Sequence, residues 1–170
     1  MFEHPLPISF KPLKLARQEG LLSGYMPLSQ LTSLSVDSVL TDGRVEAELH
    51  LRMDGQRPEI HGRARAEIAL TCQRCLEPVH VELDVPIELG FVRSEQQANE
   101  LPSNLEPFIW TEEEVVLSEL LEQELILALP IVAYHDHCSP IHYEAGEDKQ
   151  ESSSEKPNPF AVLQELKGDK

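Results

Sequence analysis

Apolar and polar residues alternate through most of residues 45–93, and this pattern constrains the fold more than any other feature of the chain. Apolar or small side chains occupy every second position from Val45 to Met53, from Ile60 to Leu70 and from Val79 to Phe91. A period of two indicates strands with one buried face and one solvated face. The sequence therefore predicts three strands that form an antiparallel β-meander, either open or barrel-like.

The first two strands are joined by Asp-Gly-Gln-Arg at residues 54–57. Glycine adopts positive φ and aspartate accepts local backbone hydrogen bonds, so this tetrapeptide predicts a tight turn. Pairing outward from the turn sets five polar pairs face to face: Arg52 with Glu59, His50 with His61, Glu48 with Arg63, Glu46 with Arg65, and Arg44 with Glu67. Four of the five join opposite charges, each contributing roughly 0.2–1 kcal/mol. A slip by one residue would expose the apolar set, so charge and hydrophobicity predict the same register.

Several short helices and one long helix are predicted around the meander. Prolines at positions 5, 7, 12 and 27 divide the N-terminal region into two short helices or turns, and residues 34–40 are predicted as a strand. Ser94 is placed to cap a further short helix. The long helix is predicted to begin at a capping box of Thr111 and Glu114 and to end before Pro130. The fold class is therefore α+β.

Length and composition predict one folded domain with a C-terminal appendage. We expect a single α+β domain over residues 1–143, a disordered acidic linker over 144–157, and a short helix over 158–167. Asn158 can cap this last helix, and Pro159 suits its first turn. The helix either folds back on the core or serves as a tethered docking segment. In the second case Phe160 and Leu163 would contact a partner.

The charge of the chain is strongly negative and unevenly distributed. Thirty Asp and Glu outnumber 14 Lys and Arg, giving a net charge of −16, so the average surface does not attract nucleic acid or anionic membranes indiscriminately. Residues 44–74 nevertheless hold six Arg against five acids, whereas residues 95–124 hold nine Glu and no Lys or Arg. Three Cys, no apolar N-terminal signal region and no run of transmembrane length predict a soluble cytoplasmic protein without a membrane partner.

Cys72 and Cys75 form a Cys-x-x-Cys pair on the loop between the second and third strands. Two thiolates at this spacing can bind one tetrahedral zinc ion, and His135, His137 and Cys138 supply further ligand types. One Cys-x-x-Cys pair alone is a weak signal, and plain reduced thiols are the commoner interpretation of it. Redox chemistry is disfavoured, because a redox pair needs a helix N-terminus to lower a thiol pKa, and a strand follows here.

The sequence predicts no enzymatic activity and no small-molecule substrate. It contains no Gly-Lys-Ser/Thr, Gly-x-Ser-x-Gly or His-Glu-x-x-His motif. Asp136 between two histidines is too little to indicate a hydrolytic site.

Several motifs in combination resemble the YceD family, the large ribosomal RNA subunit accumulation proteins of bacteria. They are Leu-Thr-Cys-Gln-Arg-Cys at residues 70–75, Phe-Val-Arg-Ser at 91–94, Glu-Gln-Glu-Leu-Ile-Leu-Ala-Leu-Pro-Ile-Val at 122–132, His-Asp-His-Cys at 135–138, and Lys-Pro-Asn-Pro-Phe-Ala-Val-Leu at 156–163. The resemblance spans nearly the whole chain. It implies a non-enzymatic role in synthesis, processing or stability of 23S ribosomal RNA. Many relatives carry a second Cys pair downstream, where this chain has only Cys138 with neighbouring histidines.

Two classes of function are consistent with these features. In the first, the protein contacts 23S ribosomal RNA or its precursor, with Arg74 at the tip of the Cys loop and Arg57 at the opposite turn as candidate RNA-binding residues. In the second, it is an acidic adaptor that binds a basic ribosomal protein and acts on the RNA indirectly, or a small structural zinc-binding module.

Overall fold

A five-stranded sheet forms the centre of the fold in the computed structural model, which describes residues 4–37 and 43–141. Seven strands and four α-helices follow one another along this part of the chain, with a short 3-10 helix at Leu28–Gln30. They are β1 (Ser9–Phe10), α1 (Pro12–Arg17), β2 (Leu21–Pro27), α2 (Thr32–Asp37), β3 (Arg44–Asp54), β4 (Arg57–Thr71), β5 (Pro78–Val92), α3 (Glu95–Asn99), β6 (Glu106–Ile109), β7 (Val115–Val116) and α4 (Leu117–Ala128). The sheet order is β2-β3-β4-β5-β6, and β1 pairs separately with β7.

The predicted meander of β3, β4 and β5 is confirmed. Both pairs of neighbouring strands are antiparallel, and the ladder between β3 and β4 extends from Asp54 opposite Arg57 to Val45 opposite Ala66. Four of the predicted facing pairs occur in this register: Arg52 with Glu59, His50 with His61, Glu48 with Arg63, and Glu46 with Arg65. Gly55 in the turn has a φ of 60°, the left-handed conformation for which glycine is suited.

Three arginines of the sheet form ion pairs other than those expected from the β3–β4 hairpin alone. Arg63 and Arg65 both bond Asp84 of β5, at 3.1 and 3.3 Å. Arg44 pairs with Glu46 of its own strand at 2.6 Å. Asp84 of β5 therefore replaces glutamates of β3 as the ion-pair partner of two β4 arginines. The register of β3 and β4 is nevertheless the predicted one.

Two further strands widen the sheet beyond the meander. Strand β2 pairs antiparallel with β3, and β6 pairs parallel with β5 from Leu89 to Val92. These two strands are the edges of an open sheet, so the barrel-like form of the meander is not adopted.

The strand predicted at residues 34–40 is wrong over the residues that the structure describes. Residues 32–37 form α2, and Leu34 is fully buried. The reason is a distant partner: Oε1 of Glu122 in α4 accepts hydrogen bonds from the backbone N–H groups of Ser33 and Leu34, at 2.5 and 3.0 Å. A carboxylate thus satisfies the first turn of α2, where free N–H groups and the helix dipole favour negative charge.

The capping box predicted at Thr111 and Glu114 is also wrong. Helix α4 begins only at Leu117, because Val115 and Val116 pair with β1. Glu114 instead accepts a hydrogen bond from Ser9 Oγ at 2.9 Å. One face of the helix is apolar and packs inward, and its leucines are buried: Leu117, Leu120, Leu121 and Leu125.

One apolar core lies between the sheet and the helices. It holds alternate residues of the strands, the inward leucines of α4, and Ala16 of α1. Phe91 makes edge-to-face contacts with Phe10, Phe108 and Trp110, with ring centroids 5.3–6.2 Å apart. Trp110 is therefore a core residue.

In the described residues, no helix is long and apolar enough to cross a membrane. The predicted linker at 144–157 and the predicted helix at 158–167, with Phe160 and Leu163, lie outside the described residues.

Candidate metal centre

The loop between β4 and β5 presents two thiols from a closed turn. The backbone N–H of Cys72 donates to the carbonyl of Glu77, and that of Leu76 donates to the carbonyl of Cys72, both at 2.9 Å. Leu76 has a φ of 61°, an uncommon conformation for a bulky residue, and its side chain is exposed. The surrounding hydrogen bonds hold this strained turn, which directs the side chains of Cys72 and Cys75 to one centre.

The segment after α4 lies against this loop although it has no regular secondary structure. The backbone N–H of Gln73 donates to the carbonyl of Ala133 at 2.8 Å, and the N–H of Ile141 donates to the carbonyl of Arg74 at 3.3 Å. The Arg74 guanidinium donates to the carbonyl of Cys138 and lies 5.4 Å from the ring centroid of Tyr134. The Cys loop therefore satisfies backbone groups of residues 133–141 and fixes their position.

Four metal-ligand atoms come together where these two segments meet. The Sγ atoms of Cys72, Cys75 and Cys138 and a ring nitrogen of His135 all lie within 4.8 Å of one another. The two Sγ atoms of Cys72 and Cys138 are 3.8 Å apart, and Cys75 Sγ is 3.4 Å from His135 Nδ1. A tetrahedral zinc site with bonds of about 2.3 Å to sulfur and about 2.0–2.1 Å to nitrogen has edges of about 3.8 Å (S···S) and 3.6 Å (S···N). The donor set therefore fits zinc in both chemistry and spacing.

The orientation of His135 is set from outside the cluster. Its Nε2 lies 3.0 Å from the backbone carbonyl of Pro78, a distance at which Nε2–H donates. This hydrogen bond leaves the lone pair of Nδ1 directed toward Cys75. Metal-binding histidines are typically held in this way, because the second ring nitrogen fixes the tautomer and the ring orientation.

The pKa values of two thiols in the cluster are shifted in opposite directions. Burial raises the pKa of the Cys72 thiol, but backbone hydrogen bonds from Cys75, Arg74 and His135 outweigh that effect and lower the pKa to about 5. Cys138 behaves in the opposite way, because burial, followed by its contacts with the thiols of Cys72 and Cys75, raises its pKa. The lowered pKa favours the thiolate form of Cys72, whereas the raised pKa of Cys138 opposes its ionisation, and a bound cation would favour the thiolate forms of both.

The structure brings together four of the five residues predicted as metal ligands. His137 is exposed and is not part of the group. Arg74 lies beside the cluster, while Arg57 lies at the β3–β4 turn, where it bonds Asp54 at 2.6 Å and Glu59 at 3.1 Å. The Pro78 carbonyl, which orients His135, was missed in the sequence, since a backbone acceptor carries no residue-type signal.

Comparison with known proteins assigns the chain to a family. The family model described as "Large ribosomal RNA subunit accumulation protein YceD" matches residues 60–167. A Haemophilus influenzae protein of that name is 36% identical over 172 residues, which cover 95% of this chain and 96% of the relative. The chain belongs to the YceD family. The YceD match includes all four residues of the cluster. No solved structure matches the chain.

Proposed function

We propose that this chain is a non-enzymatic cytoplasmic factor that supports the accumulation of large-subunit ribosomal RNA, through synthesis, processing or stability of 23S ribosomal RNA. The observation that carries the proposal is the 36% identity, over nearly the full length of both chains, to a large ribosomal RNA subunit accumulation protein. The Cys-His cluster supports the non-enzymatic part. Its four donors would complete a tetrahedral zinc site, and structural zinc sites are closed in this way, whereas catalytic ones keep an open position.

The proposed role of zinc is to join the Cys loop to the segment after α4. Cys72, Cys75, His135 and Cys138 would hold the ion, which would supply charge compensation and a fixed geometry. Both segments would then be locked together with Arg74 on their shared surface.

Arg74 and Arg57 are the arginines through which we propose contact with 23S ribosomal RNA or its precursor. The Arg74 guanidinium is held by the Cys138 carbonyl and the Tyr134 ring, and it bonds no carboxylate in the part of the chain that the structure describes. Such a side chain is free to contact phosphate. Arg57 is less available, because two carboxylates already bond it.

A basic ribosomal protein is the alternative partner, with the RNA affected indirectly. The nine glutamates between residues 95 and 124 and the net charge of −16 favour it. In this form of the proposal Phe160 and Leu163 of the C-terminal segment dock on that partner.

The proposal is tested by depleting the protein in its own cell and measuring the ratio of 23S to 16S ribosomal RNA. We expect the ratio to fall and to recover with the wild-type gene. An unchanged ratio in depleted cells contradicts the proposal.

A pull-down with and without ribonuclease separates the two kinds of partner. Association with ribosomal components that is lost on digestion supports direct RNA contact. Association that survives digestion supports the adaptor.

A further inference from the structure

Among the residues that the structure describes, most Lys and Arg side chains are already paired with carboxylates. Ten Lys and Arg lie in residues 4–37 and 43–141. Six of them bond a carboxylate: Lys11, Arg44, Arg52, Arg57, Arg63 and Arg65. Within the same residues, four bond none: Lys14, Arg17, Arg74 and Arg93. Three of these four, Lys14, Arg17 and Arg93, line a single cavity of about 370 Å³, together with Trp110.

Two of the three cations come from α1. Lys14 and Arg17 are exposed and three residues apart, so they lie on one face of the helix, which is anchored by the buried residues Pro12 and Ala16. Cations in the last turn of a helix also stabilise its dipole. That effect does not account for Arg93, which comes from the end of the sheet and lines the same cavity.

Arg93 is fixed in place with donors to spare. Its guanidinium carbon lies 3.5 Å from the centroid of the Trp110 ring. Its Nη1 donates to the backbone carbonyls of Trp110 at 3.1 Å and Glu112 at 3.4 Å. Nε and Nη2 have no partner among the described residues. A stacked, exposed guanidinium of this kind loses little conformational entropy on binding and still presents hydrogen-bond donors.

One acidic side chain lines this cavity, and it is paired with a lysine; other nearby acids line a neighbouring cavity. Glu113 lines it too, but Lys11 bonds Glu113 at 2.7 Å. A second cavity of about 420 Å³ shares Arg93 and Trp110 and reaches Arg57. Asp54 and Glu100 also line that second cavity and balance its two arginines, so the surplus of positive charge belongs to the first.

We propose that the cavity lined by Lys14, Arg17 and Arg93, here called the basic groove, binds the phosphate backbone of single-stranded RNA. Unpaired cations are the groups that contact phosphates, and the planar fork of an arginine matches phosphate oxygens. The face of the Arg93 guanidinium that points away from Trp110 offers a surface on which a base can stack. The choice of RNA over an acidic protein as the ligand rests on the proposed function. The existence of the groove rests on the structure alone.

The test measures binding of the full-length protein to a fluorescently labelled single-stranded RNA of about 12 nucleotides, by fluorescence anisotropy. The variant Lys14→Gln/Arg17→Gln/Arg93→Gln should bind at least about tenfold more weakly, with a salt dependence shallower by about 0.7 for each lost phosphate contact. The matched control is Arg44→Gln/Arg63→Gln/Arg65→Gln. It removes the same charge from exposed arginines that bond carboxylates, and should change affinity less than about twofold.

Two further variants control for misfolding and test whether removing a nearby negative charge strengthens binding. Lys14→Gln/Arg17→Gln changes only exposed side chains and should still weaken binding by about threefold or more. Glu113→Gln removes the carboxylate that bonds Lys11 at 2.7 Å, leaves Lys11 only the longer 3.7 Å contact with Glu114, and should tighten binding about twofold. Equal losses in the groove variant and the control, or no RNA binding by the wild-type protein, overturn the proposal.

The competitor distinguishes RNA from acidic protein. Unlabelled RNA should displace the probe, whereas polyglutamate of equal charge should not. Equal competition by polyglutamate contradicts the groove as an RNA site. Failure of the groove is also separable from failure of the proposed function: the oligonucleotide assay decides the first, and the 23S to 16S ratio in depleted cells decides the second.

Discussion

At the scale of single residues, the metal centre depends on which histidine has a second hydrogen-bond partner. His135 and His137 are two positions apart, and both are ligand types that suit zinc. Between these two, and among the residues that the structure describes, it is His135 whose outer nitrogen lies next to a carbonyl, that of Pro78. The choice between the two histidines therefore depends on a tertiary contact and not on residue type.

We expect His135→Ala, Cys72→Ser and Cys138→Ser each to abolish stoichiometric zinc in the purified, reduced protein. Each substitution removes one of four donors from a closed site. His137→Ala is the matched control and should retain about one zinc per chain. Elemental analysis measures the result. Loss of zinc in His137→Ala alone, or wild-type protein without zinc and with three freely reacting thiols, would contradict the assignment.

Glu122 links α4 to α2 by accepting two backbone hydrogen bonds from a largely buried position. Glu122→Gln keeps the shape and an acceptor oxygen but removes the charge, and hydrogen bonds to a charged acceptor are roughly twice as strong as neutral ones. We expect the free energy of unfolding to fall by about 1–2 kcal/mol. Denaturant unfolding measures this, with the exposed Glu119→Gln on the same helix as the control. Equal effects of the two substitutions would argue against the cap.

Glu124, on the same helix as Glu122, should make the stability of the fold depend on pH. Burial, followed by the charge of Glu106, raises the pKa of Glu124 above its ordinary value. A carboxyl group whose pKa is higher in the folded state destabilises the fold when ionised, and this cost disappears as pH falls and the group is protonated. We therefore expect Glu124→Gln to raise the melting temperature at pH 7, with the gain vanishing below about pH 4. A gain that persists unchanged at low pH would show another cause.

At the scale of elements, the sequence predicts the strands in which apolar and polar residues alternate. It misses the short strands that pair with segments distant in sequence. The register of β3 and β4 is correct because a two-residue period and facing charges are both local properties of one hairpin. Strands β1 and β7 are too short to show a period, and their pairing unites residues more than 100 positions apart. The start of α4 is displaced for the same reason, since β1 draws Val115 and Val116 into a strand.

The site follows the same division between local and distant information. Residue types and the Cys-x-x-Cys spacing indicate the ligands, because two thiols on one tight turn are a local feature. The basic groove is not apparent from the sequence. Its cations come from α1 and from the residue that follows β5, and only the folded structure shows which cations already have carboxylate partners.

The alternating face of the sheet should carry much of the stability. Leu49 is fully buried in β3, whereas Leu127 at the outer side of α4 is 76% exposed. Leu49→Ala should lower the free energy of unfolding by about 2–5 kcal/mol, through lost burial and the cavity left behind. Leu127→Ala, the same chemical change on the surface, should alter it by less than about 0.5 kcal/mol. Similar effects of the two substitutions on denaturant unfolding would contradict the assigned core face.

At the scale of the whole molecule, zinc would close a long loop of the chain. Cys75 and His135 are 60 positions apart and belong to segments without a shared strand or helix. A cross-link over a loop of this length removes conformational entropy from the unfolded chain, by about 4 kcal/mol in the chain-entropy description. The metal would therefore stabilise the segment after α4, which no strand-pairing hydrogen bonds hold in place among the described residues.

We expect a zinc chelator to lower the melting temperature by roughly 10 °C, since about 1 kcal/mol corresponds to about 2–5 °C in a domain of this size. Hydrogen exchange should localise the change. The amides of Gln73 and Ile141, which bond between the two segments, should lose protection, while that of Leu51, bonded to Gly20 within the sheet region, should keep it. Complete removal of zinc, verified by elemental analysis, with no change in melting temperature or in these amides would show that the two segments hold together without a metal.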